Sequence, residues 1–248
     1  MATWLCLHGF SGTPECFRAL GAANPEATLW TPGLTGHGTP ATAWAPSFDA
    51  EVQRLERWLS ERGQDQVHLL GYSLGARLAL GLLASHRQRF KSAVLIGANP
   101  GLRTPNERSQ RAKGDEQYRQ LLQREGLEAF VDTWEQLPLF ASQRALTRDV
   151  LAEQRRARLT HTAGGLSHAL RALGLAQMPD YWSELPKLDL PIVLVVGERD
   201  EKFRRIAEAM LHLLPSARLE LAPGVGHNVV LESPAVLTEL MRAGMREG

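Results

Sequence analysis

Residues Gly71-Tyr72-Ser73-Leu74-Gly75 follow the pattern G-x-S-x-G. They lie between an apolar β-type run, Val67-His-Leu-Leu70, and a helical stripe that begins at Leu74. A serine at such a strand–turn–helix corner is lifted above the sheet edge, and flanking glycines permit the tight turn. Its hydroxyl is a poor nucleophile or base until another group takes its proton. A histidine must reach it, and a carboxylate must orient that histidine. In this arrangement the chain order is serine, acid, histidine. His227, in Pro223-Gly-Val-Gly-His227-Asn228, follows the last β-type run, and Gly197-Glu-Arg-Asp200 follows the run before it. Asp200 is preferred to Glu198, which lies closer to the strand end. Negative charge developing on a carbonyl oxygen also needs two backbone N–H donors. Leu74, just after the serine, supplies one, and Phe10 in His8-Gly9-Phe10 supplies the other. Taken singly, Ser73 and Asp200 could each be a helix N-cap and His227 a structural loop residue; their order and spacing favour the catalytic reading.

These groups need a scaffold that delivers them to one edge. Six short β-type runs are each followed by a turn signal: Trp4–Leu7, Thr28–Trp30, Val67–Leu70, Ala93–Ile96, Ile192–Val196 and Arg218–Leu221. The run Val193–Val196 is apolar throughout, as expected of a parallel strand covered on both faces. Helical stripes lie between the runs: Val52, Leu55, Trp58 and Leu59; Leu74, Leu78 and Leu82; Ile206, Ala209, Met210 and Leu213. Strands alternating with helices predict an α/β fold with a mostly parallel sheet of about six strands and helices on both faces.

The alternation stops after Ile96 and resumes at Ile192. The intervening stretch is helical in pattern and rich in arginine, and it reads as a helical lid over the carboxyl edge where such sheets bind ligands. The expected organisation is a core of 1–100 and 183–248 with a lid insertion at 101–182. Most of the lid arginines, taken alone, belong on a solvated face balanced by Glu and Asp.

Composition narrows the function. The 248 residues carry 28 basic and 27 acidic side chains, so no strong field points to nucleic acid or to an anionic membrane. No run of about 18 apolar residues exists, so no membrane span is expected. The first residues lack the basic and apolar regions of a secretory signal. Cys6 and Cys16 are too few for a disulfide framework, and no Cys/His cluster has metal-binding spacing. The expectation is a cytoplasmic monomer that uses no metal or cofactor. His8 reads as structural and His37 as ordering its loop, while His68, His86, His161, His168 and His212 carry no partner signal.

Together these residues support an α/β-hydrolase-fold enzyme with a Ser–His–Asp triad. At Gly71-Tyr-Ser-Leu-Gly-Ala-Arg77, and nearly end to end, the chain also resembles the 2-succinyl-6-hydroxy-2,4-cyclohexadiene-1-carboxylate synthases, lyases of menaquinone biosynthesis. The likeness takes in Leu7–Gly12, Pro100-Gly-Leu102, Trp134–Phe140, Gly197–Phe203 and Gly226-His-Asn228. It implies that Ser73 acts as a base in eliminating pyruvate from 2-succinyl-5-enolpyruvyl-6-hydroxy-3-cyclohexene-1-carboxylate. For that tricarboxylate it implies Arg77 and Arg111 as ligands, with Tyr72 and Trp134 on the pocket wall. Arg155 matches a further family arginine, with Arg156 and Arg158 competing. Ala76 stands where the family usually has glycine, and the chain starts at its first strand without room for an N-terminal hairpin. A serine carboxylesterase or thioesterase, or a non-catalytic ligand-binding α/β protein, would carry the same scaffold.

Overall fold

The computed structural model describes residues 1–64 and 66–246. Among them six strands form one sheet: β1 (Ala2–Leu7), β2 (Ala27–Trp30), β3 (Val67–Tyr72), β4 (Phe90–Ile96), β5 (Ile192–Gly197) and β6 (Ala217–Ala222). Their order is β2-β1-β3-β4-β5-β6, and every described pairing is parallel. The chain steps from β1 outward to β2, then returns to place β3 on the other side of β1. The loops after β1 and β3 therefore part company at the carboxyl edge and leave a crevice between them.

Strand residues alternate between two apolar cores. Leu5, Leu7, Leu69, Ala93, Leu95, Leu194 and Val196 pack with α2 (Phe48–Ser60), α3 (Leu74–His86) and α8 (Glu201–Leu211). Trp4, Cys6, Leu70, Tyr72, Val94, Ile96 and Val195 face the other way, onto α1 (Arg18–Ala23), α9 (Val229–Glu232) and α10 (Pro234–Arg246). The Leu74, Leu78 and Leu82 stripe is wholly buried, as predicted. Leu213 departs from its predicted stripe: α8 ends at Leu211, and the side chain is exposed.

Between β4 and β5 come α4 (Pro105–Arg124), α5 (Gly126–Glu135), α6 (Arg148–Arg158) and α7 (Ala163–Leu173). Of these, α4, α5 and α7 share a smaller core of Leu122, Phe130, Val131, Leu166 and Leu170, against which Phe10 and Trp134 pack. Threonines start three of these helices. Thr104 forms a capping box with Glu107, and Thr147 and Thr162 accept from the N–H groups of Val150 and Gly165. No helix among the described residues is long and apolar enough to cross a membrane.

Backbones approach closely at the corner between β3 and α3. Ser73 adopts φ 53° and ψ −107°, a region that non-glycine residues occupy only when the surroundings hold them there. A Cβ on Gly71 would lie 2.6 Å from the Gly75 carbonyl oxygen, and one on Gly75 would overlap the Leu7 carbonyl. Gly75→Ala should therefore push α3 off β1 and cost about 3 kcal/mol or more. Urea denaturation of the variant and the wild type measures this, and equal midpoints would contradict it.

Candidate active site

The loops after four strands, β1, β3, β5 and β6, deliver Phe10, Ser73, Asp200 and His227 to one edge of the sheet. Ser73 leaves β3, and its N–H donates to the Ile96 carbonyl at 2.8 Å, which ties the corner to β4. Its side chain makes no cap to α3; the oxygen lies 3.0 Å from His227 Nε2. His227 Nδ1 lies 2.7 Å from Asp200 Oδ2, so this nitrogen donates and the ring is fixed in one orientation. The other Asp200 oxygen accepts the Phe203 N–H at 3.3 Å and caps α8. One oxygen of Asp200 thus meets the His227 ring and the other caps the helix. Asp200 and His227 are buried, whereas Ser73 keeps partial access to solvent.

The loop that carries His227 is pinned by acids outside the triad. Glu198 accepts the Gly224 N–H at 2.8 Å, and Glu232 accepts those of Gly226 and Asn228 at 3.0 and 3.3 Å. A Cβ on Gly197 would overlap the Gly226 carbonyl, and one on Gly97 would sit 2.7 Å from His227 Cε1. Phe203 packs on the imidazole with centroids 4.3 Å apart. Glu198, weighed earlier as a triad acid, holds the histidine loop instead.

Ser73 and His227 open into a cavity of about 660 Å³. Phe10, Tyr72, Arg77, Arg111 and Trp134 line it, all named from sequence. Leu74 heads α3, so its N–H is one of the donors a helix start leaves without an internal partner. Arg77 Nη1 donates to the Leu173 carbonyl at 2.8 Å. Burial, together with the like charge of Arg111, pushes the Arg77 guanidinium down to about 9, and Asp115 opposes the shift. Arg77 remains a cation at neutral pH, in a place where it is short of counter-charge. Asp115 accepts from Arg111 Nε at 2.8 Å, and its other oxygen is buried without a partner among the described residues. Burial raises the Asp115 carboxyl above its usual range, against the pull of Arg111 and Arg77.

Arg155 is a correction. It does not line this cavity: its guanidinium is taken up by Asp132 at 2.7 Å and Glu135 at 3.1 Å. Arg156 is exposed. Arg158, one turn on from Arg155, is buried, pairs with Glu135 at 2.8 Å and faces the Phe140 ring. Arg158 lines a second cavity of about 560 Å³, and Phe10, Tyr72 and Phe140 border both spaces. Sequence reasoning assigned no role to Asn99, Arg199, Lys202 or Phe203, which also line the serine cavity. The last three flank Asp200, and any loop that brings the acid to the edge brings its neighbours too.

Three buried histidines stand behind Phe10. His37 and His8 are 5.2 Å apart, and His37 and His161 are 5.3 Å apart, centroid to centroid. His161, without a partner signal in the sequence, bonds the Ser11 carbonyl. His68 likewise finds Ser92, and His168 the Ala45 carbonyl. Burial holds His8 down to about 4 and drives His37 and His161 below the usual histidine value, with neighbouring histidines adding to the effect on His8 and His37. The unfolded chain would bind these protons from pH 6.5 downward while the folded chain refuses them. Stability is therefore present above that pH and lost below it. His8 alone should cost on the order of 2 kcal/mol between pH 7.5 and pH 5. Urea midpoints at the two pH values test this, and unchanged stability would contradict it.

Residues 4–240 match the model of the Alpha/beta hydrolase family. A relative from Bacillus subtilis (strain 168), provisionally named a 2-succinyl-6-hydroxy-2,4-cyclohexadiene-1-carboxylate synthase, is 35% identical over 96% of this chain and 88% of its own length. The synthase of that name from Enterobacter sp. (strain 638) is 33% identical over 98% of this chain and 92% of its own. MenH from S. aureus superposes with a TM-score of 0.94 at 28% identity, covering 99% of this chain and 94% of that one. An esterase from Thermogutta terrifontis, at 24% identity and a TM-score of 0.84, shares the fold.

Proposed function

We propose a reaction for this chain from one premise: it belongs to the Alpha/beta hydrolase family and, within it, to the 2-succinyl-6-hydroxy-2,4-cyclohexadiene-1-carboxylate synthases. It is a lyase of menaquinone biosynthesis that eliminates pyruvate from 2-succinyl-5-enolpyruvyl-6-hydroxy-3-cyclohexene-1-carboxylate. The observation that carries the reading is a hydrogen-bonded Ser73–His227–Asp200 row opening onto a cavity that also holds Arg77 and Arg111. A polycarboxylate needs those cations, and an apolar acyl slot does not.

In the proposed cycle His227 takes the Ser73 proton, and Asp200 stabilises the imidazolium. The Ser73 oxygen then removes the proton from the ring carbon next to the succinyl carbonyl. The electron pair left behind spreads onto the carbonyl oxygen, which the Phe10 and Leu74 N–H groups hold. It then moves through the ring double bond and expels the enolpyruvyl oxygen. The departing enolate takes its proton from His227 and becomes pyruvate, so serine and histidine end as they began.

The helical segment 101–182 acts in this proposal as the lid that brings Arg111, Tyr118 and Trp134 over the serine. Arg77 and Arg111 bind substrate carboxylates, and Tyr72 and Trp134 shape the wall. Arg155 has no place in it, being held by acids of α5. The proposal carries forward the expectation of a monomer working in the cytoplasm.

A coupled assay for pyruvate release, run beside hydrolysis of p-nitrophenyl acetate, tests the reading. Ser73→Ala should lower pyruvate release by about 10³-fold or more. Arg77→Ala should raise KM and lower kcat for the tricarboxylate, at a combined cost of about 2–4 kcal/mol, and leave the neutral ester nearly untouched. Rapid ester turnover without pyruvate would point to an esterase instead. An unchanged kcat/KM in Arg77→Ala would remove that arginine from the substrate site.

A further inference from the structure

The loop that presents Phe10 turns through Ser11, a non-glycine residue at φ 58°. This left-handed conformation persists only where neighbours impose it, and the Ser11 backbone is gripped from two sides. Its N–H donates to His37 Nε2 at 3.1 Å, and its carbonyl accepts from His161 Nε2 at 3.3 Å. The His37 ring also meets Phe10 edge-on, with centroids 5.4 Å apart and planes at 90°.

His37 is itself anchored. Its Nδ1 donates to the Thr35 carbonyl at 2.9 Å, which leaves the Nε2 lone pair for Ser11. The Thr35 N–H and hydroxyl both donate to Glu51, at 2.9 and 2.7 Å, and Arg54 pairs with the same carboxylate at 2.7 Å. A row of bonds thus runs from α2 to the Phe10 loop. His161 arrives from elsewhere, the connection between α6 and α7. Beside it the backbones of Gly36 and Gly165 touch so closely that a Cβ on Gly165 would lie 2.6 Å from the Gly36 carbonyl. The start of α7 is therefore seated directly against the loop that carries His37.

We propose that His37 and His161 are positioning residues: by holding the two ends of Ser11 they aim the Phe10 N–H at the site above Ser73, and His161 makes that aim depend on α6 and α7 being seated. The inference rests on the reading of Phe10 as a donor to the developing oxyanion. Neither histidine needs to touch substrate, and each acts through a backbone group of Ser11.

Four full-length variants test it: His37→Leu, His37→Gln, His161→Leu and His161→Gln. Glutamine can offer an acceptor oxygen in place of His37 Nε2, or a donor N–H in place of His161 Nε2; leucine can offer neither. The leucine variants should lose about 10- to 100-fold in kcat with KM within about threefold, approaching the loss of one oxyanion donor. The glutamine variants should recover most of it. Folded leucine variants with wild-type kcat, or glutamine variants as impaired as leucine ones, would overturn the proposal. Hydrogen exchange in the wild-type protein needs no substitution to fold: the Ser11 amide should be strongly protected, and exchange at the rate of an open loop would equally overturn it. A wild-type protein that releases no pyruvate would sink the reaction assigned above and not the clamp. The exchange measurement and Ser73-dependent ester hydrolysis would still report on the clamp.

Discussion

The imidazole of His227 is held at one nitrogen by Asp200 and faces Ser73 with the other, at 2.7 and 3.0 Å. Hydrogen bonds of this length weaken steeply when a partner shifts or tilts, and the three residues come from three separate loops. Much of the architecture can be understood as the means of keeping those loops in register. Parallel strands end at a common edge, and glycines stand where two backbones must nearly touch, as at Gly75 against Leu7 and Gly197 against Gly226. Glu198 and Glu232 tie down the histidine loop through its N–H groups. A rigid edge suits the proposed reaction, in which a proton must travel a fixed path.

The two parts of the chain contribute different chemistry. The sheet and its flanking helices hold the groups proposed to handle a proton, while the helices between β4 and β5 contribute Arg111, Tyr118 and Trp134 to the same cavity. Arg77 links the two, since it sits on α3 but bonds the Leu173 carbonyl of α7. Its half-buried positive charge lies near that of Arg111, and among the described residues only one oxygen of Asp115 has a hydrogen-bond partner. A site with that balance favours an arriving anion over a neutral guest.

The strand–helix alternation, the elbow serine and the order of the triad could be read from the chain because each rests on local chemistry: a glycine pair, an apolar run, a turn. Asp200 was legible for the same reason, although its double duty was not. What failed depends on how distant elements cross. Arg155 and Arg158 lie three residues apart on one face of α6, and which of them turns inward is settled by the packing of α5, where Glu135 sits. His161 meets the Ser11 carbonyl across 150 residues, a contact that no local pattern announces. Leu213 continued a stripe that its helix did not.

Between the serine cavity and its neighbour, the shared boundary is made of the rings of Phe10, Tyr72 and Phe140. Rings can be exchanged for smaller groups without disturbing a strand or a helix axis. The volume open to a guest thus depends on these three side chains as well as on the scaffold. Such a movable partition is one concrete way in which a single architecture can be refitted for molecules of very different bulk.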